Sequence, residues 1–301
     1  MIKRTLYFGN PAWLKTKNEQ LLIELPDTGE VKQAAIEDIG LVILDHQQIT
    51  ITQPVLAKLL ANNCAVITCN DTHHPTGMLL NLDGHTLQSQ RFQAQIEATI
   101  PLKKQLWQQT VTAKITNQAN LLQLRKTENK FLTNLSKNVL SGDSSNCEAQ
   151  AANYYWKNLF PEFLNFKRFR EGDPPNNLLN YGYAILRALV ARSLVGSGLL
   201  PTLGIFHRNQ YNAYCLADDM MEPYRPYVDK IVCDIVRSNG KFLEMTPKMK
   251  QQLLSLPVMD VMIDDEKSPL MNAVQRTTAS LAKCFEGKSR KVLYPTLQPE
   301  N

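Results

Sequence analysis

A polar segment at residues 204–229 concentrates titratable side chains in an otherwise apolar part of the chain. His207 follows the uncharged stretch Ser193–Phe206, so the backbone is expected to leave the core there. Asp219 and Glu222 are three residues apart, which would place both carboxylates on one face of a helical turn. Two carboxylates and an imidazole together can bind a hard divalent cation such as Mg²⁺ or Mn²⁺. A capped histidine with acids at a helix end explains the same residues without a metal.

A second candidate is Glu148, which follows a serine-rich turn and begins a run of helix-forming residues. If Ser145 or Asn146 caps this helix, Glu148 lies in its first turn. Ala152 and Tyr155 would then share its face. An acid at this place is an ordinary partner of the helix dipole, but the small alanines around it would let a ligand approach closely. Spacing alone leaves both interpretations open.

The elements that must position these residues change in character near residue 85. Residues 1–85 contain short β-rich runs between turn signals, and only Pro54–Asn62 has helical spacing, so a small β-rich domain is predicted. Residues 86–301 have the composition and spacing of helices, which predicts a larger all-α catalytic domain and an α+β fold. Its polar end, residues 287–301, is expected to be a flexible tail. Long helices are expected between Leu87 and Leu140, followed by helices at Glu148–Phe160, Asn176–Val195, Arg225–Arg237, Thr246–Ser255 and Pro269–Phe285.

Charge is distributed unevenly along the chain. Lysine and arginine number 33 against 28 acidic residues, which gives a net charge of +5. Residues 1–85 carry 6 basic and 9 acidic side chains, whereas residues 86–301 carry 27 and 19, a net of +8. Such an excess favours a polyanionic partner, most often nucleic acid, although a solvated helix surface explains it equally well.

The composition excludes several classes of protein. A chain of 301 residues that is 44% hydrophobic is neither a small disulfide-stapled scaffold nor a disordered tail. The six cysteines have no metal-ligand spacing, which predicts free thiols in a reducing compartment. The sequence has no signal-peptide pattern and no uninterrupted apolar run of membrane-spanning length, so a cytoplasmic protein without a membrane partner is expected.

Three motifs, in this order along the chain, resemble the CRISPR-associated adaptation integrase family, which inserts new spacers into the CRISPR array. They are C-E-A-Q-A-A-N-Y-Y-W around Glu148, N-N-L-L-N-Y-G-Y-A-I-L from Asn176, and H-R-N-Q-Y-N followed by L-A-D-D-M-M-E-P-Y-R-P-Y-V-D from His207. The form with Glu222 before Pro-Tyr-Arg-Pro is most similar to the version found in type II systems. The resemblance covers nearly the whole chain, including the β-rich first domain and the helical second domain.

The resemblance implies a metal site made of Glu148, His207 and Glu222, with Mg²⁺ or Mn²⁺ as the cofactor. Asp219 stands where some relatives have an acidic neighbour of the site. Many relatives have an aspartate as the third ligand, so Glu222 is a departure that changes the reach of the carboxylate. Integration requires a DNA 3′-hydroxyl to attack a repeat-end phosphodiester, and hydrolysis by water at the same site would make the protein an endonuclease. His207 is expected to act either as a ligand or as a proton carrier.

The resemblance also implies partners. The family forms homodimers, and two such dimers flank a dimer of a small ferredoxin-like adaptation protein. Type II systems additionally recruit their effector nuclease, and some recruit a further accessory protein. The β-rich domain is expected to serve in dimerisation and partner docking.

DNA, as spacer precursor and as CRISPR repeat, is expected to contact the basic helical domain, because phosphate neutralisation supplies much of the affinity for DNA. The candidate contacts are Arg91, Lys114, Arg168, Arg170, Arg208 and Arg225. Each of these is alternatively a surface charge, and Arg225 is alternatively an internal partner of Asp229.

Two other functions fit the same residues. The chain could be a stand-alone metal-dependent nuclease for branched DNA, with the same site and no CRISPR array to serve. It could also be a non-catalytic DNA-binding scaffold in which the candidate metal ligands are ordinary helix-end acids. Integration into a repeat-containing plasmid separates the first alternative from an integrase, and cleavage that needs no divalent ion would favour the second.

Overall fold

The computed structural model describes residues 3–163, 166–169, 172–240 and 242–298. The chain divides into two compact units, Met1–Thr86 and Leu87–Asn301. The first unit is rich in β-strands and the second is mainly helical. The predicted α+β fold is therefore confirmed. Within the described residues, no helix combines the length and the apolar character needed to cross a membrane.

The described part of the first unit consists of strands in two sheets and one α-helix. The elements are β1 (Arg4–Phe8), β2 (Ala12–Lys17), β3 (Gln20–Glu24), β4 (Val31–Ala35), β5 (Ile39–Leu44), β6 (Ile49–Ile51), α1 (Gln53–Ala61), β7 (Ala65–Cys69) and β8 (Pro75–Leu79). One sheet has the order β1-β5-β7-β8, in which β1, β5 and β7 are parallel and β8 is antiparallel. The other has the order β4-β3-β2-β6.

Burial explains which sequences form these strands. Strand β5 is apolar throughout and lies inside its sheet, with Val42 fully buried, as a strand covered on both faces requires. In β2, Ala12 and Leu14 are buried while Trp13 and Lys15 are exposed, the alternation of a strand with one solvated face. Side chains from both sheets and from α1 form one buried core.

The second unit contains the remaining helices and a small sheet. The helices are α2 (Gln88–Ile96), α3 (Ile100–Leu124), α4 (Lys130–Ser136), α5 (Cys147–Leu159), α6 (Asn176–Gly196), α7 (Cys215–Met221), α8 (Arg225–Asn239), α9 (Pro247–Leu253) and α10 (Leu270–Phe285). A 3₁₀ turn at Glu222–Tyr224 joins α7 to α8. Strands β9 (Asp260–Ile263), β10 (Glu266–Pro269) and β11 (Pro295–Thr296) form an antiparallel sheet of order β10-β9-β11. This small sheet is an addition to the helical domain expected from the sequence.

Helix α3 packs against α4, α5 and α8 and carries one residue of the candidate site, Lys114. The Thr99 side chain accepts a hydrogen bond from the Leu102 N–H, and a proline occupies the first turn, so the helix begins with a strong start signal. Neighbours on several sides bury much of its surface, including Trp107 and Lys114. A buried lysine needs a charged partner, and two are available.

The end of the chain differs from the flexible tail that the sequence predicts. Strand β11 pairs with β9, and the Val292 N–H donates to Gln109 Oε1 at 2.9 Å. The Leu297 N–H donates to Asn117 Oδ1, also at 2.9 Å. Segment 292–297 is ordered because side chains of α3 satisfy its backbone groups.

Candidate active site

Glu148 lies in the first turn of α5. The residue at the N-cap is Asn146, which has a left-handed backbone conformation with φ 54° and makes no side-chain cap. The Asp143 carboxylate caps the helix instead, accepting hydrogen bonds from the N–H groups of Cys147 at 2.8 Å and Glu148 at 3.0 Å. Asn146 thus holds the N-cap position, one of the two alternatives, but the side chain that caps the helix is that of Asp143. An acid at the helix N-terminus also complements the helix dipole, so Glu148 stands on a well-anchored turn.

Glu222 approaches Glu148 from a different element, the 3₁₀ turn between α7 and α8. Lys114 Nζ lies 2.6 Å from Glu148 Oε1 and 2.6 Å from Glu222 Oε2. Arg225 Nε lies 2.8 Å from Glu222 Oε1. The two glutamates therefore meet on one ammonium group, and the pair of acids is balanced by two cations.

The acids and cations of this cluster keep one another ionised. Burial alone would raise the pKa of Glu222, but the Arg225 guanidinium and the Lys114 ammonium outweigh it and hold that pKa at about 2. Burial would lower the pKa of Lys114, but the carboxylates of Glu222 and Glu148 raise it above its ordinary value. Glu222 and Lys114 are therefore both charged at neutral pH. Loss of one partner would leave another charge buried without compensation.

One oxygen of this cluster is under-coordinated. Among the described residues, Glu222 Oε2 is buried and receives no hydrogen bond of acceptable angle, although Lys114 Nζ is close to it. The short distance is thus an ion pair and leaves the acceptor capacity of this oxygen partly unused.

His207 is held by a loop that wraps around Asp219. Asp219 Oδ2 accepts hydrogen bonds from the N–H groups of Ile205 at 2.7 Å and Phe206 at 3.0 Å. Asp219 Oδ1 accepts from the His207 N–H at 3.2 Å and pairs with His207 Nδ1 at 2.5 Å. A Cβ atom at Gly204 would lie 2.3 Å from the His207 carbonyl oxygen, so only glycine permits this tight loop.

The Asp219 carboxylate determines how the His207 ring can act. The hydrogen bond that His207 donates to Asp219 raises the pKa of His207, against the opposing effect of burial, and the charges of Asp219, Glu222 and Glu148 raise it further. An ionised carboxylate only accepts hydrogen bonds, so the proton is placed on Nδ1 and the Nε2 lone pair is left for a ligand or a proton. Asp219 itself is fully buried.

The predicted ligand set is brought together only in part. Glu148 and Glu222 meet on Lys114, while the Nδ1 side of His207 faces Asp219. Among the described side chains, no three acidic, histidine or cysteine groups stand close enough to hold a metal ion as they are placed. The metal assignment stays a prediction.

Most cations expected to contact DNA have partners inside the second unit. Lys114 and Arg225 belong to the acid cluster, because the buried glutamates need compensating charge. Arg91 pairs with Glu286 at 2.8 Å. Within the described residues these three cations form ion pairs in the second unit, and DNA contact by each of them stays a prediction.

Arg168 donates hydrogen bonds to Asn176 Oδ1 at 3.0 Å and Asn180 Oδ1 at 2.6 Å, and its guanidinium lies over the Tyr183 ring. Both hydrogen-bond partners lie in the second unit, and DNA contact by Arg168 stays a prediction. Arg208 is exposed, as a phosphate contact requires. Arg170 lies outside the described residues.

A buried carboxylate outside the predicted site residues joins the helix that carries Glu148 to two other helices. Asp229, on α8, accepts hydrogen bonds from Tyr155 Oη of α5 at 2.7 Å and Tyr183 Oη of α6 at 2.5 Å. The Arg225 guanidinium lies over the Tyr183 ring, 4.5 Å from its centroid. Asp229 therefore ties together three helices of the site. The four-residue spacing of Arg225 and Asp229 indicates a link between those two, but the tyrosine partners come from other helices.

Comparison with known proteins identifies the family. A family model described as CRISPR associated protein Cas1 matches residues 6–248. A CRISPR-associated endonuclease Cas1 from Neisseria meningitidis serogroup C (strain 8013) is 36% identical over 297 residues, which cover 97% of this chain and 95% of that protein.

Two solved structures share the fold. A casposase bound to an integration product superposes with a TM-score of 0.79 at 20% identity, covering 97% of this chain and 92% of that chain. A chain of a Cas6-RT-Cas1–Cas2 complex gives a TM-score of 0.76 at 20% identity, covering 100% of this chain and 36% of that one. At these identities the structures support the fold alone. On the family model and the Neisseria relative, the chain belongs to the CRISPR associated protein Cas1 family.

Proposed function

We propose that this chain is a divalent-metal-dependent DNA integrase and endonuclease that inserts new spacer DNA into a CRISPR array. The main support is the meeting of Glu148 and Glu222, from separate elements, on one cation at 2.6 Å from each. Two converging carboxylates are the oxygen donors that Mg²⁺ and Mn²⁺ prefer. Membership of the Cas1 family and the name endonuclease carried by the Neisseria relative support the same reaction class.

Glu148, Glu222 and the Nε2 atom of His207 are the groups that would hold Mg²⁺ or Mn²⁺. The buried Oε2 of Glu222, which receives no hydrogen bond of acceptable angle from the described residues, fits this assignment because it retains acceptor capacity. Lys114 supplies positive charge between the same two carboxylates. When bound, such a cation would neutralise charge at the scissile phosphate and make the attacking oxygen a better nucleophile.

The protein's own residues would prepare the rest of the reaction. In integration, a DNA 3′-hydroxyl attacks a repeat-end phosphodiester and the displaced strand leaves with its own 3′-hydroxyl. The single lone pair of His207 Nε2 serves one of two roles, as the third metal ligand or as the proton carrier. In the second role it would accept the proton from the attacking oxygen or return one to the leaving oxygen, and Asp219 fixes the ring for either role. Arg225 holds Glu222 through Oε1, so the second oxygen is kept towards the cluster. Water in place of the hydroxyl would give cleavage.

The proposal includes partners. We propose that the chain acts as a homodimer with a small ferredoxin-like Cas2 protein on spacer-precursor and repeat DNA, since related folds occur in a Cas1–Cas2 complex and on an integration product. The type II effector nuclease and an accessory protein are further proposed partners, with residues 1–85 serving in dimerisation and docking. The six cysteines are free thiols, which suits a reducing compartment such as the cytoplasm.

The substitution Glu148→Gln tests this function. Glutamine keeps the size of the side chain and a hydrogen-bond acceptor for Lys114 but removes the charge, so folding and DNA affinity should survive. We expect integration into a repeat-containing supercoiled plasmid, and Mn²⁺-dependent cleavage, to fall by on the order of 100-fold or more. Circular dichroism and DNA binding are measured on the same preparation.

The control is Glu162→Gln, because Glu162 is also a glutamate in an ion pair, with Arg125, and lies outside the acid cluster. It should integrate at the parent rate. Parent-level integration by Glu148→Gln would contradict the metal assignment. Cleavage by the parent without any integration would favour a stand-alone nuclease, and activity that persists in a chelator would favour a DNA-binding scaffold contaminated by another enzyme.

A further inference from the structure

The Lys114 ammonium lies at the point where a cation shared by the two site glutamates would lie. Its Nζ atom is 2.6 Å from Glu148 Oε1 and 2.6 Å from Glu222 Oε2. A Mg²⁺ ion binds its oxygen ligands at about 2.1 Å. Two oxygens that already converge on one nitrogen need only a small movement to bind one metal ion at the same point. The ammonium and a divalent cation would therefore use the same space.

The ammonium satisfies the two carboxylates incompletely. A lysine carries three N–H donors. Among the described residues, Lys114 Nζ donates one hydrogen bond, to Glu148 Oε1. Its approach to Glu222 Oε2 has no acceptable hydrogen-bond angle, so charge alone holds it to that oxygen. An ion held mainly by charge can be replaced by an ion of higher charge.

Of the two cations in the cluster, Lys114 is the one that can leave. Arg225 donates through Nε to Glu222 Oε1 at 2.8 Å, and its guanidinium lies 4.5 Å from the centroid of the Tyr183 ring. In the part of the chain that the structure describes, the hydrogen-bond and ion-pair partners of Lys114 are the two glutamates. Its ammonium ends a flexible four-carbon stem, so rotations about that stem can move the charge while α3 stays in place. The Glu148 side chain is 22% exposed, so an ion from solvent can reach it.

We infer that Lys114 is a resident counter-ion of the site, which a divalent cation must displace in order to bind Glu148 and Glu222. The ammonium and the divalent cation repel each other, and the space between the two carboxylates holds one of them at a time. Lys114 thus weakens metal binding and favours divalent over monovalent ions. Exchange of the ammonium for an ion of equal charge brings no Coulomb gain, whereas exchange for a doubly charged ion does. This inference rests on the proposed function.

Mn²⁺ binding in the absence of DNA tests the inference. Electron paramagnetic resonance of free Mn²⁺ gives the dissociation constant for each protein. Lys114→Gln removes the charge and keeps a polar side chain, so it should bind Mn²⁺ about 10- to 100-fold more tightly than the parent. Lys114→Arg keeps the charge and should not bind more tightly than the parent. Adding Glu148→Gln to Lys114→Gln should abolish the gain, which places the bound Mn²⁺ at this site.

Thermal unfolding gives a second readout that needs no enzymatic activity. Without metal, Lys114→Gln should melt below the parent, because the buried Glu222 loses a compensating charge. The same excess of Mn²⁺ should raise the melting temperature of Lys114→Gln more than that of the parent, since a tighter ligand stabilises more.

The control is Lys250→Gln, since Lys250 is also a buried lysine but lies on α9, with its Nζ 5.9 Å from the centroid of the Tyr181 ring. It should bind Mn²⁺ like the parent, and Mn²⁺ should not restore any stability that it loses. If Lys114→Gln does not fold, the parent decides. Amine-reactive labelling read by mass spectrometry should then modify Lys114 faster in Mn²⁺ than in a chelator, with Lys250 unaffected. Equal labelling of Lys114 in both would overturn the inference.

These readouts separate the counter-ion from the proposed function. Mn²⁺ binding by Lys114→Gln that is equal to or weaker than that of the parent would overturn the inference and leave the proposed function in place. Tighter binding by Lys114→Gln, in a protein that neither integrates nor cleaves DNA with Mn²⁺, would support the counter-ion and remove the integrase proposal. No Mn²⁺ binding by either protein would overturn both.

Discussion

Asp229 is a buried carboxylate whose ionisation opposes folding. Burial raises its pKa to about 6, although the hydroxyl groups of Tyr183 and Tyr155 and the charge of Arg225 act in the other direction. The folded protein therefore holds this proton more tightly than the unfolded chain does, where an aspartate has a pKa of about 3.9. Stability from this group is highest below the unfolded pKa and is lost as the pH rises through about 6.

The substitution Asp229→Asn should remove this pH dependence. The amide keeps a polar group between the two tyrosines and cannot ionise. The free energy of unfolding of the variant, relative to the parent, should increase by on the order of 3 kcal/mol between about pH 4 and pH 7. Urea unfolding across this range measures it. Asp234→Asn is the control, because Asp234 is on the same helix but exposed and paired with Arg237. If the difference in free energy of unfolding between Asp229→Asn and the parent did not change with pH, ionisation of the Asp229 carboxylate would not oppose folding.

Residue types indicated the acids of the site but not the ion pairs of its cations. Glu148, His207 and Glu222 stood out from their surroundings and from the motifs that contain them. The sequence makes Lys114 and Arg225 candidates for DNA contact, with a surface charge as the alternative for both and an internal pairing with Asp229 as a further alternative for Arg225. Their burial depends on two glutamates, and the pairs of Lys114 join residues distant along the chain, which no local spacing reveals.

At the scale of elements, Asn117 of α3 links the candidate site to the end of the chain. Its Nδ2 donates to the carbonyl oxygens of Pro223 at 2.8 Å and Pro295 at 3.0 Å, and its Oδ1 accepts from the Leu297 N–H. Pro223 follows Glu222 directly. The C-terminal segment and the turn that carries Glu222 are thus held by one buried amide.

Two asparagines of α3 allow this link to be tested. Asn117→Ala leaves three buried backbone groups without partners, so it should cost about 2–4 kcal/mol of stability and also lower the integration rate. Asn120→Ala is the matched control, because Asn120 Nδ2 donates to the Leu297 carbonyl, at 2.7 Å, rather than to the turn that carries Glu222. It should cost about 1 kcal/mol and leave the rate unchanged. Equal effects of the two changes on the rate, measured beside urea unfolding, would disprove the link.

The positions of the helices could be predicted from the sequence. Which polar segments adopt a defined structure could not. Apolar spacing, with Pro, Gly, Ser or Asp at one end or both, placed α5, α6, α8 and α10 within about two residues of their positions in the structure. Strands β4 and β8 lack such a signal, because their sequences VKQAA and PTGML have no apolar alternation. The C-terminal segment has the composition of a tail, and it is held by side chains of α3 that are far away in sequence.

At the scale of the whole molecule, the count of 27 basic residues in 86–301 overstates the number of cations available to DNA. Lys114, Arg225, Arg91 and Arg168 are part of the count, yet internal partners hold all four. The exposed cations around the candidate site remain. The relevant quantity is therefore the charge near the site, which the sequence total does not give.

Salt dependence of DNA binding should separate the two units. The logarithm of the affinity falls with the logarithm of salt concentration by about 0.9 for each phosphate neutralised on duplex DNA. Changing Lys103, Lys104 and Arg208 together to glutamine should flatten this slope by about 0.9 for each phosphate that is no longer neutralised. Changing Lys15 and Lys17, which are exposed on β2 of the acidic first unit, is the control and should leave the slope unchanged. If the slope became flatter for the Lys15 and Lys17 variant but stayed the same for the Lys103, Lys104 and Arg208 variant, the duplex would bind the first unit. That result would contradict a DNA-binding role for the basic second unit.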